Sequence, residues 1–259
     1  VATVVFLHRP RQNSIALKTC RRFPGFYCTD PRSCRKASFN SVLIVRLLNN
    51  SCVHHCLMDP NELLGLIKAR RTIREMNKEP ICEEAVKNLL SSATWAPSAH
   101  NAQPWRFVVM QDQDSRYELL TKMGERWKQD LKADGMQQEL IDSLTNSSMS
   151  RFLGCPLIVV VAMTMEDMDK YPDNRRNSAE RIMAIESVSA AIQNMLLMAH
   201  ALGIGASWSC APLFAPEAVK QVLRLRDNWQ PIAMIALGFP RRTPDAPPRK
   251  AINEVAIWI

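Results

Sequence analysis

Between Trp95 and Trp105 the chain reads APSAHNAQP, and Ser98, His100, Asn101 and Gln103 crowd four hydrogen-bonding side chains of different geometry into six positions. Pro97 and Pro104 each fix a backbone φ and remove a donor, which accounts for turns but not for that side-chain set. A hydroxyl, an imidazole and two amides spaced this way suit the gripping of a flat polar ligand. The cluster KARRTIR, residues 68–74, offers different chemistry. Arg70, Arg71 and Arg74 carry planar donors that bond phosphate oxygens in pairs, and Thr72 adds a hydroxyl. Arg249 and Lys250, in the proline-rich tail PPRK, form a second basic group that can converge on the same phosphate. The plainer alternative is a helix whose last turn carries cations because they favour its carboxyl end.

Other reactive residues carry less. Cys210 has no partner base nearby in sequence, and a single cysteine in a turn is more often inert than nucleophilic. His100 reads as a loop-ordering or acceptor-pocket residue rather than a general acid. YPDNRR, residues 171–176, supplies Tyr171, Arg175 and Arg176, which suit a phosphate- or carboxylate-bearing acceptor or are solvated charges before a helix. Trp127, Met123 and Met136 offer an aromatic and flexible thioethers for a permissive apolar lid.

The elements that must position these groups form an α+β pattern. Leu63, Leu64 and Ile67 mark an amphipathic helix that MDPN opens, with Asp59 as its cap. CEEAVKNLLSSATWA predicts a second helix, its Glu83 and Glu84 complementing the dipole. WRFVVMQ reads as a strand, and residues 114–145 as one or two helices broken near Gly135. LIVVVAM, short and β-branched, predicts a buried strand, and PIAMIALGF the last core strand. Ile182, Ile185, Val188, Ile192, Met195, Leu196 and Ala199 recur at helical spacing before Gly203, a natural stop, and predict a central helix apolar nearly all round.

The 259 residues are 47% hydrophobic and 22% charged, which suits a soluble domain with a substantial core. No uninterrupted apolar run approaches the length that crosses a bilayer, so no membrane partner is expected. The formal charge of +8 is uneven. Residues 1–57 hold nine Lys or Arg and one acid, Asp30, while residues 58–259 hold 24 of each sign. The main domain therefore has no global field for polyanions, and nucleic-acid binding would need the basic leader. That leader also holds five of the eight cysteines. It reads as a non-native or unfolded extension ahead of a start at Met58, as a transit-peptide-like segment, or as a zinc ligand set of Cys52, His54, His55 and Cys56 whose spacing matches no standard pattern. No metal is assigned to residues 58–259. Cys82, Cys155 and Cys210, scattered singly, fit a reducing compartment, and a cytoplasmic location is the expectation.

RRTIR, APSAHNAQPW, GIGASWSCAP and GFPRRTPDAPPRK, in that order, together resemble the FMN-dependent nitroreductase family over roughly residues 62–258. AHNAQPWRFVVM, GCPLIVVV, YPDNRR, AAIQNMLLMAHALGIGASW and GFP are more narrowly similar to the flavin-binding carboxyl-terminal domain of the γ-glutamyl ligases that mature the deazaflavin coenzyme, without the ligase domain. The resemblance implies a central mixed sheet flanked by helices in an intertwined homodimer. It implies FMN with NADH or NADPH as donor, and hydride transfer by alternation to a nitroaromatic, quinone or related small acceptor. The alternatives are a reductase or binding module for a deazaflavin coenzyme or its dehydro precursor. By the same resemblance, Pro97, Ser98 and Ala99 approach the flavin across a subunit boundary while Asn101 and Gln103 order their loop. Arg70, Arg71, Thr72 and Arg74 bind phosphate and ring edge, Arg249 and Lys250 close over the phosphate, and Arg151 lies near the pyrimidine end. Ser209, Cys210 and Ala211 present backbone N–H groups to the ring, and the helical segment with Trp127 covers it. Met76, Ala102 and Ala251 depart from the residues usual in the family.

Overall fold

Side chains of β2 (Leu157–Thr164) and β4 (Trp229–Gly238) alternate between two cores, and that alternation organises the molecule. The computed structural model describes residues 58–259. Leu157, Val159, Val161 and Met163 of β2, with Ala233, Ile235 and Leu237 of β4, pack against α2 (Glu83–Thr94) and α5 (Asn174–Ala201). Ile158 and Val160, with Met234 and Ala236, face α3 (Gln113–Ala133), α4 (Gln138–Leu153) and α6 (Pro216–Leu223). The period of two along each strand sends successive side chains to opposite faces, and both faces are covered, so β2 is buried throughout.

The sheet order is β1-β2-β4-β3, with β1 at Trp105–Met110 and β3 at Gly205–Ser209. The resemblance implied a mixed sheet. Among the described residues all three strand pairings are antiparallel, and the parallel element is the isolated bridge from Thr72 to Ala206. Pro231 lies inside a central strand because the register shifts between Val161 and Ala162, which places Pro231 opposite Ala162 at a bulge.

Three of the helices begin where an aspartate precedes them. Asp59 caps α1 (Pro60–Ala69) by accepting from the Asn61 N–H at 2.9 Å, as the sequence indicates. Asp112 caps α3 through the Ser115 N–H at 2.7 Å, and Asp173 caps α5 through the Arg176 N–H at 2.9 Å. Gly203, at φ 72°, ends the last turn after α5. The break near Gly135 separates α3 from α4. Sequence patterning marks neither β3 nor the short helices α6 and α7 (Ile252–Val255).

Two expectations change. α5 contains an 18-residue stretch long and apolar enough in length and composition to cross a membrane. Its apolar residues instead form the larger core. α1 is amphipathic but buries none of its residues, leaving Leu63, Leu64 and Ile67 46%, 46% and 44% exposed. The leader over 1–57, including Cys52, His54, His55 and Cys56, lies outside the described residues.

Candidate functional site

The arginine cluster is held by backbone pairing along the end of the sheet. The Ile73 N–H donates to the Ala206 carbonyl at 2.9 Å, the Asn77 N–H to Phe239 at 2.8 Å, and the Arg241 N–H to Glu75 at 2.9 Å. Met76 bridges to Pro240. This close approach needs glycine at two facing positions. A Cβ on Gly205 would lie 2.8 Å from the Ile73 Cβ, and one on Gly238 would lie 2.7 Å from the Pro156 Cδ and 3.0 Å from the Met76 Cβ.

The structure brings the tail to the cluster. Desolvation first, then the charges of Arg249 and Arg71, push the Arg70 guanidinium below its ordinary range. Among the described residues no ion pair engages Arg70, Arg71, Arg74, Arg249 or Lys250. Arg71 instead donates to the Lys68 and Arg70 carbonyls at 2.6 and 2.8 Å. Converging cations without a carboxylate make an anion site. Arg70, Arg71 and Ile73 share a cavity of about 170 Å³ with His200, Gly205 and Thr243. Sequence spacing gave no sign of His200 or Thr243, which arrive there from the end of α5 and from the tail.

The polar loop is strained. His100, Asn101 and Gln103 have φ of 55°, 55° and 47°, three of the four non-glycine residues in the left-handed region among those described. Left-handed backbone persists in L-residues only when surrounding contacts hold it, and it gathers at functional sites. Here the holding contacts are specific. Ser98 Oγ accepts from the Gln103 N–H at 3.1 Å, and the Ala99 N–H donates to Ser187 Oγ on α5 at 3.2 Å. Asn101 N–H donates to the Ser98 carbonyl at 3.1 Å, and the Gln103 amide donates weakly to the Asn101 carbonyl at 3.5 Å. Pro97 is exposed and Trp95 is 84% exposed beside it.

A larger cavity, about 760 Å³, opens between α3, α4 and the turn after β3. Met123, Trp127, Arg151, Phe152, Ser209 and Ala211 line it, and the Arg151 guanidinium stacks on the Phe152 ring at 5.0 Å. Arg151, Ser209 and Trp127 thus line one cavity. Cys210 is exposed at the same turn but does not line the cavity, and the Ala211 N–H is already engaged by Ser209 Oγ at 3.3 Å.

The acceptor group expected from Trp127, Tyr171, Arg175 and Arg176 is divided. β1 and β2 are antiparallel with Trp105 opposite Met163, so the loops before β1 and after β2 lie at one sheet end. Tyr171 therefore meets His100's neighbourhood, whereas Trp127 lies on α3, which packs over the opposite face. Arg176 is committed locally: its Nε lies 2.5 Å from Asp173 and its guanidinium stacks 4.5 Å from the Tyr171 ring centroid. Arg175 is exposed and lines neither cavity. The Asp169 carboxylate, ahead of desolvation, raises the Tyr171 phenol above its ordinary value, so it stays protonated and donates to Asp169 at 3.4 Å.

Cys155 is inert for a visible reason. Burial pushes its thiol up to about 11, outweighing the nearby Arg116 and Arg151 charges, and Sγ donates to the Arg151 carbonyl at 3.4 Å. The raised value contributes stability present below about pH 9 and lost as pH rises toward 11. At pH 8, iodoacetamide is expected to label the exposed Cys82 and Cys210 while Cys155 stays unmodified until unfolding, read by peptide mass spectrometry. Labelling of Cys155 as fast as Cys82 in the folded protein would contradict this.

The nitroreductase family profile matches residues 67–239. The chain belongs to the nitroreductase family. Among its relatives is a candidate NAD(P)H nitroreductase of Bacillus subtilis (strain 168), YfhC, 28% identical over 192 residues that cover 74% of this chain and 91% of that one. A candidate nitroreductase from Desulfovibrio desulfuricans, solved in complex with FMN, is 27% identical with a TM-score of 0.59, covering 78% of this chain and 98% of its own. A BluB-like flavoprotein from Clostridium difficile 630 shares the fold, with a TM-score of 0.65 at 23% identity over 76% and 98% of the two chains. The nitroreductase match includes the arginine cluster, the strained loop and β3, and stops before the tail that carries Arg249 and Lys250.

Proposed function

We propose that residues 58–259 form an FMN-dependent oxidoreductase domain that takes electrons from NADH or NADPH and passes them to a small conjugated acceptor, a quinone or nitroaromatic. The observation that carries this is the gathering of Arg70, Arg71 and Arg249 at one end of β3 with no carboxylate paired to them among the described residues. That donor set fits a phosphate monoester. Ser209 and Arg151 stand at the other end of the strand, about 13 Å away at roughly 3.3 Å per residue, a span that an elongated ligand along β3 would bridge. The FMN-bound relative and the NAD(P)H nitroreductase relative support the same cofactor and donor.

FMN supplies the hydride chemistry itself. The chain's residues bind and orient. Arg70, Arg71 and Arg249 neutralise phosphate charge, with Thr72, Arg74 and Lys250 beside them. Arg151 sets a positive charge near the turn Ser209–Ala211, where it favours an anionic ring. The strained loop from Pro97 to Gln103 holds its backbone ready without reorganisation. Met123, Trp127 and Phe152 give the cavity an apolar wall.

A homodimer is part of this reading. Leu63, Leu64 and Ile67 on α1, Trp95 beside the polar loop, and Ile252, Val255, Ile257 and Trp258 in the tail are exposed apolar groups that a second copy would cover. The narrower likeness to the ligase-associated domain supports a deazaflavin as a second acceptor. Arg176's pairing with Asp173 leaves Arg175 as the arginine available to it.

One experiment tests the proposal. Purified protein titrated with FMN is expected to show saturable quenching of flavin fluorescence. The loaded protein should sediment as a dimer and oxidise NADH or NADPH with a quinone or nitroarene. Absence of quenching would refute the cofactor assignment. A monomer that holds FMN would refute the shared site, and bound FMN without turnover would leave a binding module.

A further inference from the structure

The side-chain cluster beneath the strained loop has chemistry that flavin binding does not use. His100 Nε2 lies 3.5 Å from Glu180 Oε1 and 3.9 Å from Asp169 Oδ2, and the three ligand atoms lie within 4.8 Å of one another. Each comes from a different segment: the loop before β1, the loop after β2, and the first turns of α5. Glu180 is only 3% exposed, and its second oxygen, Oε2, is fully buried without a hydrogen-bond partner. An unpartnered oxygen on a buried carboxylate is costly unless a cation meets it.

We propose that His100, Asp169 and Glu180 bind a first-row divalent cation, Zn²⁺ or Mn²⁺. One imidazole and two carboxylates are a ligand set for such ions, with three protein ligands and an open fourth position. Metal–ligand bonds of about 2.0–2.2 Å in a tetrahedron place neighbouring ligand atoms about 3.4 Å apart. The His100–Glu180 separation already matches that edge. Asp169 needs a small approach, which its exposed position allows. Tyr171 Oη, 3.4 Å from Asp169 Oδ2, supplies the outer hydrogen bond that commonly orients a ligating carboxylate. Calcium fits poorly, since it takes six to eight oxygen ligands.

Such an ion would tie the left-handed residue His100 to α5, close to where Ala99 already bonds Ser187. The site would thus fix the loop's conformation by bridging three segments rather than by joining the hydride chemistry. This inference does not depend on the proposed oxidoreductase activity.

The test uses the full chain, stripped with EDTA and titrated with Mn²⁺, the free ion followed by electron paramagnetic resonance. Mn²⁺ is chosen because carboxylates suit it and thiolates do not, which sets aside Cys52, Cys56, Cys82 and Cys210. The expected result is a saturable site displaced by Zn²⁺ and raising the melting temperature. Glu180→Gln and Asp169→Asn should each weaken Mn²⁺ at least tenfold with an unchanged circular dichroism spectrum. Should Glu180→Gln fail to fold, His100→Ala, at a half-exposed position, carries the same expectation. No saturable Mn²⁺ or Zn²⁺ binding would overturn the proposal and leave a local ion pair. Undiminished binding in His100→Ala and Asp169→Asn would overturn it as well.

Discussion

Arg70→Ala is expected to weaken FMN binding about ten- to hundredfold, equivalent to the roughly 1.5–3 kcal/mol of a hydrogen bond to a charged group. Arg70 feels the charges of both Arg249 and Arg71, and it is half-buried in the small cavity. Its removal takes away the centre of the cationic group, whereas the exposed Arg74 stands at the edge and should cost less when replaced. The fold should be indifferent or slightly relieved, because Arg70 has no ion-pair partner among the described residues and its neighbours repel it. Fluorescence titration of FMN into parent and variant, with thermal melting alongside, separates the two effects. Unchanged affinity would mean that the phosphate binds elsewhere. A fall in melting temperature with the fall in affinity would mean that Arg70 holds the fold.

Gly205→Ala should have the opposite profile, with stability and affinity lost together. The new Cβ would meet the Ile73 Cβ and Cγ2 at 2.8 Å and its Cγ1 at 3.0 Å. Ile73 is β-branched, so these atoms sit at the backbone and cannot swing aside by a distant torsion. The segment must move, although the Ile73 N–H bond to Ala206 at 2.9 Å holds it in place. Overpacking of this kind costs about 1–3 kcal/mol. For a domain of this size each kcal/mol lowers the melting temperature by about 2–4 °C. Because Ile73 lies between Thr72 and Arg74, the displacement should also weaken FMN. A variant with parental melting and parental FMN affinity would show that the close approach is not what positions the arginines.

Chain-local physics made part of this protein legible in advance. The strands at 105–110, 157–164 and 229–238 and the helix over 174–201 follow from periodicity and β-branching, which depend on neighbours in sequence. The cap at Asp59 and the stop at Gly203 follow for the same reason. β3 was hidden because GASWS is short and holds no β-branched residue, and it becomes a strand by pairing with β4 and with Thr72. The order β1-β2-β4-β3 and its antiparallel pairing likewise depend on partners far away in the chain.

The candidate site divides along the same line. Residue chemistry marked Arg70, Arg71, Arg249 and the loop at 97–104, because phosphate and flat polar ligands demand particular donors. Only the tertiary structure decided that Arg249 reaches Arg70, that Trp127 and Tyr171 belong to different faces of the sheet, and that Asp169 and Glu180 meet His100. A sequence read one window at a time records which donors exist, but the antiparallel pairing of Trp105 with Met163 selects which loops share an end. Burial then gives Glu180 its unpartnered oxygen, because desolvation acts on a side chain only once other segments have closed over it.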